Sequence, residues 1–265
     1  MNGSNRPGNR PWACVTGASS GIGAALAREL ARHGHDLVLS ARSLAPMETL
    51  ADELRAAGAA TTIVPADLAE RGAAAALVRE IDAAGIEIDV LVNNAGLGAI
   101  GSFDRIEPAR NAEIMQVNIV ALTELTRALL PAMLYRRRGG IMLVASTASF
   151  LPCPQMAVYA ASKAYVRSFG EALAQELRGS GVTVSVLCPG TTASNFFTVA
   201  GSLPSPLQAR RMMTAEAVAR IGVAGLVRGR RVTVAGGMNR ILAFIAAHTP
   251  HSLTLPATQR MMAQD

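Results

Sequence analysis

"TGASSGIG", residues 16–23, is the stretch on which the fold turns. It follows a short β-branched apolar run, WACVTG (12–17), and leads into AALARELARHG (24–34), a segment of helical period. Gly17, Gly21 and Gly23 permit a tight strand-to-helix turn, let a backbone approach a pyrophosphate, and allow the helix to pack close on its strand. The helix start adds free N–H groups and the positive end of a dipole for phosphates. Glycine-rich turns are common, so three glycines alone say little. Their place between a strand and a helix, at the head of an alternating chain, is what points to a dinucleotide. The spacing G-x-x-x-G-x-G also departs from the commoner G-x-G-x-x-G fingerprint.

The alternation continues along the chain. Strand candidates are WACVTG (12–17), DLVLSAR (36–42), TTIVPAD (61–67), DVLVNNAG (89–96), GIMLVAS (140–146), VTVSVLCPG (182–190) and RVTVAG (231–236). Several are nearly continuous apolar runs, as strands covered on both faces require. Helices are predicted near 22–33, 43–57, 70–84, 107–136, 155–179 and 214–228. No repeat, long linker or composition shift divides the 265 residues. The expectation is one doubly wound α/β domain of Rossmann type, with a seven-stranded parallel sheet and helices on both faces. It spans 11–237, after a disordered polar tail at 1–10 and before a C-terminal helical extension at 238–265.

Half of the residues are hydrophobic and 17% are charged, the balance of a compact enzyme-like domain. No run of 18 or more apolar residues occurs, so no membrane span is expected, and the polar start does not read as a secretory signal. Cys14, Cys153 and Cys188 lie far apart, which fits free thiols and a cytoplasmic location. The net charge of +6 is scattered except at Arg136–Arg138 and Arg228–Arg231, where helices are predicted to end and cations suit the dipole. No nucleic-acid motif accompanies these clusters, so no nucleic-acid partner is expected. His33, His35, His248 and His251 form no metal grouping, and no metal is expected. The G-x-S-x-G elbow of a serine hydrolase and the G-K-[ST] of a P-loop are both missing.

"VYAASKAYV" (158–166) sets Tyr159 and Lys163 four apart, on one helix face and within reach of each other. A free tyrosine titrates near about 10, too high for ready proton exchange at neutral pH. A neighbouring ammonium favours the phenolate and lowers that value, making a general acid–base unit. The plainer reading has Tyr159 filling a core edge and Lys163 solvated. Tyr165 falls off the shared face and receives no chemistry.

Taken in order from residue 12 to about 195, the glycine turn, "NNAG" (Asn93–Gly96), Asn118, Ser146, the Tyr159/Lys163 pair and Pro189–Gly190 resemble the short-chain dehydrogenase/reductase family. Its first glycine motif is T-G-x-x-x-G-x-G. The resemblance implies an NAD(P)-dependent oxidoreductase in which Asn118, Ser146, Tyr159 and Lys163 are catalytic. Tyr159 exchanges the proton, Ser146 holds the substrate carbonyl oxygen, Lys163 bonds the nicotinamide ribose, and Asn118 positions a water relayed to Lys163. For Asn118 a solvent-facing or helix-bonding amide is the plainer alternative. The separation from Tyr159 selects Ser146 over its neighbours Thr147 and Ser149. The implied cofactor contacts are Gly17, Ser19, Ser20, Gly21, Ile22, Gly23, Arg42, Asp67, Leu68, Asn94, Ala95, Gly96, Tyr159, Lys163, Pro189, Gly190 and Thr192. Asn93 resembles the residue that ties the central strands together.

An enzyme selecting NAD usually carries an acid at the end of the second strand, to bond the ribose 2′-OH. Here LSARS (39–43) has Ala41 and then Arg42, which suits a 2′-phosphate; NADP(H) is expected, with NAD(H) as the alternative. An ordinary solvated arginine is the competing account. Asp67 has two readings: an adenine contact, or an N-cap for the helix near Glu70.

Substrate-lining stretches are expected at 147–156 and at a lid of about 191–213. Phe150, Met156, Phe196, Phe197 and Leu203 would make the pocket largely apolar. The expected reaction is reversible, NADPH-dependent reduction of an apolar ketone or aldehyde. The alternatives are reduction of a 3-oxoacyl thioester and, from another class, a non-catalytic NADP-sensing regulator. Ile241, Leu242, Phe244 and Ile245 suggest a short amphipathic helix in the extension; such a helix is commonly packed on its own domain, and a weak membrane-surface contact or a subunit contact is the alternative. The extension resembles those of the 3-ketoacyl and 17β-hydroxysteroid reductase branch. The resemblance also implies a homodimer or homotetramer built on the long helices at 107–136 and 155–179.

Overall fold

The computed structural model describes residues 10–193 and 212–262. In chain order the elements are β1 (Trp12–Thr16), α1 (Gly21–Arg32), β2 (Asp36–Ser40), α2 (Leu44–Ala56), β3 (Thr61–Ile63), α3 (Ala73–Ala83), β4 (Ile88–Asn93) and α4 (Pro108–Tyr135). They continue with β5 (Gly139–Val144), α5 (Ala157–Glu176), β6 (Val182–Cys188), the short pair β7 (Thr192–Ala193) and β8 (Met213–Thr214), α6 (Ala215–Val227) and β9 (Val232–Val234). Two helices, α7 (Gly237–His248) and α8 (His251–Met262), follow.

Seven strands form one parallel sheet in the order β3-β2-β1-β4-β5-β6-β9, and β7 pairs with β8 separately. All six residues of β4 and of β5 are buried, because helices cover both faces. Alternation along each strand then splits the core in two. Leu91 and Ile141 face the layer of α3, α4 and α5, with Leu77, Leu125, Met133 and Val166. Val92 and Met142 face the layer of α1, α2 and α6, with Leu26, Leu30, Met47 and Val218. Burying each such side chain contributes about 1.5–3 kcal/mol, so the two slabs dominate the fold. Gly170 lets α5 lie directly on the sheet, since a Cβ there would stand 2.3 Å from Val186 Cγ2.

Chain order reverses at β1, which pairs with β2 on one side and β4 on the other. Strands leading away in opposite directions open a crevice beyond their carboxyl ends, the place where such sheets bind ligands.

Several expected boundaries shift. The third strand ends at Ile63 as regular pairing, although Val64 and Ala66 still donate to Leu39 O and Ala41 O across the intervening Pro65. The third helix starts at Ala73 rather than near 70, because Gly72 takes a left-handed φ of 79° just before it. The fifth strand ends at Val144, short of Ser146. Within α4, residues Gln116–Ala121 form a π-helical turn that no periodicity in the sequence announces.

Among the described residues, α4 is long and apolar enough to cross a membrane by length and composition, with a mean hydropathy of 1.4 over its best window. The expectation of no span rested on uninterrupted apolar runs, which this helix lacks. In the structure it lies along the sheet and buries Leu122, Leu125, Leu129 and Met133 in the core. Helix α7 is a different case. It buries only Ala243, while Ile241, Leu242, Phe244 and Ile245 are about half or more exposed, so that apolar face does not pack on its own domain.

Candidate active site

The crevice is shaped by the glycine turn and the loop after β4, held together by Thr16. Its buried hydroxyl accepts hydrogen bonds from the N–H groups of Asn94 and Ala95, both at 3.1 Å. The Asn94 amide donates in return to the carbonyls of Thr16 (2.9 Å) and Gly17 (3.2 Å). Asn94 is thus the residue that ties β1 to β4. The neighbouring Asn93, expected in that role, donates instead to Thr126 Oγ1 (3.0 Å) and fastens β4 to α4. Gly17 has a φ of +65°, and a Cβ on Gly23 would stand 2.1 Å from Gly17 O. Side chains at either position would destroy the turn. Ser20 precedes α1 with no side-chain cap, which leaves the amides of Gly21, Ile22 and Gly23 pointing outward beside Ser19.

At the end of β2, Ala41 is buried and Arg42 is exposed. The Arg42 Nη1 lies 3.9 Å from Asp67 Oδ2, so the two opposite charges stand together at one edge of the crevice. Asp67 does not cap α3. Its Oδ1 accepts from Ala69 N–H at 3.0 Å and closes a local turn, with Leu68 buried beside it. These features fit a dinucleotide: a cradle without side chains, open helix amides for a pyrophosphate, and an arginine at the ribose end with no acid before it.

The catalytic candidates converge across the crevice. Ser146 is the N-cap of a 3₁₀ turn, Thr147–Phe150, and its hydroxyl accepts from Ala148 N–H at 3.1 Å. It also hydrogen-bonds the Tyr159 hydroxyl. Burial pushes the Tyr159 phenol up to about 12, against the opposing pull of that bond. Burial likewise lowers the Lys163 ammonium to about 8. Lys163 Nζ donates to Val144 O at 2.8 Å and stands 5.9 Å from the centre of the Tyr159 ring. The expectation that the ammonium lowers the tyrosine therefore needs correction. Desolvation wins, and the phenol keeps its proton at neutral pH.

Asn118 sits in the π-helical turn, fully buried. Its Oδ1 accepts from Leu97 N–H, and its Nδ2 donates to Leu97 O and to Ser162 Oγ, all at 2.9 Å. Ser162 in turn donates to Tyr159 O at 2.7 Å. Both amide hydrogens are thus engaged, and neither the solvent-facing nor the helix-bonding alternative holds. With both amide hydrogens engaged, a water-positioning role would rest on an oxygen acceptor of this residue rather than on its amide donors. Ser162, to which the sequence alone assigns no role, links the clamp to the Tyr159 helix; its place between Tyr159 and Lys163 was the available signal.

A small cavity adjoins Tyr159, with room for about one water. Met156 lines it as expected, together with Ala99, Phe103, Ile106, Asn111 and Ile114. The contribution of the loop around 99–106 is not foreseen by the sequence, because an irregular loop carries no period to read. Phe150 stands elsewhere: the Arg167 guanidinium lies 4.3 Å from its ring centre, and the ring packs on the core. Phe196, Phe197, Leu203 and most of the expected lid lie outside the described residues. Pro189 O accepts from Thr147 N–H at 2.8 Å, and Thr192 donates to Gly190 O at 2.9 Å, so this segment borders Ser146's turn. The three cysteines are unpaired.

The profile of the short chain dehydrogenase family matches residues 11–202. An uncharacterized oxidoreductase of Myxococcus xanthus is 37% identical, covering 82% of this chain and 84% of its own. The ketoacyl reductase HetN of Nostoc sp. is 36% identical over 72% of this chain and 67% of its own. Among solved structures, a short-chain dehydrogenase from Sphingobium yanoikuyae in complex with NADPH superposes with a TM-score of 0.80 at 31% identity, covering 96% of both chains.

Proposed function

Because the chain belongs to the short-chain dehydrogenase family of oxidoreductases, we propose that it reduces the carbonyl of a largely apolar small molecule, with NADPH as the preferred cofactor. The observation that carries this reading is the hydrogen bond between half-buried Ser146 and buried Tyr159, which lines the cavity, with Lys163 one turn along the same helix. Gly17, Ser19, Ser20, Gly21, Ile22 and Gly23 would hold the pyrophosphate side, Arg42 the ribose phosphate, and Asn94–Gly96 with Lys163 the nicotinamide side. When bound there, the cofactor supplies a hydride. Tyr159 donates its proton to the substrate oxygen, and its raised titration keeps that proton available at neutral pH. Ser146 holds the same oxygen as charge develops on it. The Lys163 ammonium, under the exposed Gly96, offsets the phenolate left behind. Asn118 acts through others: it fixes Leu97 against the Tyr159 helix and so keeps crevice and proton donor in register.

NADPH over NADH is supported by Arg42 and by the ligand of the Sphingobium relative. Reduction of a 3-oxoacyl thioester is the second reading, favoured by the likeness to the Nostoc ketoacyl reductase. Exposed Met115, Val120 and Tyr165 on α4 and α5 support assembly into a dimer or tetramer through those helices. The test follows NADPH and NADH absorbance with a panel of ketones, steroids and acyl thioesters. Turnover of at least one apolar carbonyl, faster with NADPH, is expected; faster oxidation of NADH across the panel would overturn the cofactor assignment.

A further inference from the structure

Asn111 stands seven residues before Asn118 on α4, about two helical turns or ~10 Å along the axis. It is only 9% exposed, and its Oδ1 has no hydrogen-bond partner among the described residues. Buried polar atoms in folded proteins are nearly always paired, so each exception asks for a reason. Of the described side-chain atoms left in this state, Asn111 Oδ1 alone belongs to the wall of the cavity beside Tyr159. Of the others, Ser40, Ser185 and Thr233 lie in the sheet, and those on Arg136, Ser149, Arg167 and Thr254 lie elsewhere, none of them lining the cavity. Around Asn111 the wall carries the apolar Ile106, Ile114, Met156 and Val158, with Gln155 and Tyr159 as its other polar side chains. A buried acceptor left without a partner beside apolar groups is one means by which a pocket orients a ligand.

We propose that Asn111 Oδ1 accepts a hydrogen bond from the substrate, which is therefore an otherwise apolar ketone or alcohol bearing an O–H or N–H donor remote from its reacting carbon. The inference rests on the carbonyl-reductase reading and narrows its substrate class. Asn111 fixes which end of the molecule enters, and Tyr159 acts on the other. A site built to bond a donor discriminates against the analogue that lacks it, because the acceptor is then left buried and bare.

The test uses two ketones of one carbon skeleton, 4-(4-hydroxyphenyl)butan-2-one and 4-phenylbutan-2-one, which differ by a single O–H. The readouts are kcat/KM with NADPH and, separately, Kd by calorimetry on the complex with NADP⁺. The wild-type protein is expected to favour the phenol by about tenfold in both readouts. Asn111→Leu, of nearly the same shape, brings the ratio to about one, whereas Asn111→Asp, which keeps an acceptor, retains the preference. A wild-type ratio near one, a ratio unchanged by Asn111→Leu, equal losses for both ketones, or binding of neither would each overturn the inference. If neither ketone is turned over while the Kd ratio behaves as expected, the reaction assignment fails and the subsite stands. Turnover of both at equal efficiency removes the subsite and leaves the reaction assignment standing.

Discussion

Asn111 and Asn118 are the same side chain on the same helix, both buried, yet they end in opposite states. Asn118 has every donor engaged, gripping the Leu97 backbone from both sides and reaching Ser162. Asn111 presents an unpaired oxygen to the cavity. The first amide completes the scaffold, and the second leaves a position to be completed by a ligand. The same contrast runs through the whole site. The wall that carries Ser146, Tyr159 and Lys163 is closed by its own hydrogen bonds, while the wall from Ala99 to Ile114 is apolar and open in one place.

Replacing each asparagine by leucine separates the two states most clearly. Asn118→Leu strands Leu97 N–H and Leu97 O, at about 1–3 kcal/mol per buried group left unpaired, and leaves Ser162 with only its bond to Tyr159 O, so thermal denaturation should show a fall of several degrees. Activity should fall with it, since Leu97 and the Tyr159 helix lose their common anchor. Asn111→Leu removes an orphan rather than creating one, so its midpoint should stay or rise. Equal losses in the two variants would erase the distinction.

The next largest effect concerns pH. Lys163, lowered to about 8, loses its charge as pH rises through that value, and reduction should then decline by up to about tenfold per unit. Oxidation of the alcohol needs the Tyr159 proton removed while Lys163 stays charged, so with a phenol raised to about 12 its rate should climb up to about pH 8 and level off above it. Above about pH 8 reduction therefore falls while oxidation stays level. Parallel profiles measured with NADPH and NADP⁺ would contradict the assigned roles. A smaller effect is expected at the exposed edge of the crevice. Arg42→Ala should raise KM for NADPH about tenfold and leave NADH nearly unchanged, because a half-exposed guanidinium is screened by solvent. An equal effect on both cofactors would make Arg42 an ordinary surface residue.

How much of this is legible in the sequence depends on periodicity. All seven strands of the main sheet and six long helices follow from alternating apolar runs and turn residues, and the glycine turn marks the crevice before any coordinates. The Tyr159/Lys163 pair stands out because four-residue helical spacing is visible in one dimension, and Ser146 through the separation from Tyr159 that the family resemblance implies. What escapes lies where contacts join distant segments. That Asn94 rather than Asn93 ties β1 to β4 depends on which side of the strand end each faces. The π-helical turn at Gln116–Ala121 breaks the very period by which helices are recognised. Desolvation raising Tyr159 despite its bond to Ser146 is a property of burial, which spacing cannot report. Asn111 reads in the sequence as one more polar residue near a helix start. Only its missing partner gives it meaning, and a missing partner requires the packed structure.

The proposed chemistry depends above all on Tyr159 giving up its proton in an NADPH-linked carbonyl reduction. The measurement that reaches this step is kcat for NADPH oxidation, with the best ketone of the panel, in wild-type protein and in Tyr159→Phe, whose ring fills the same space without the hydroxyl. A loss of about 10²–10⁴ in kcat is expected, with NADPH binding retained. Near-normal turnover by Tyr159→Phe would contradict the assignment.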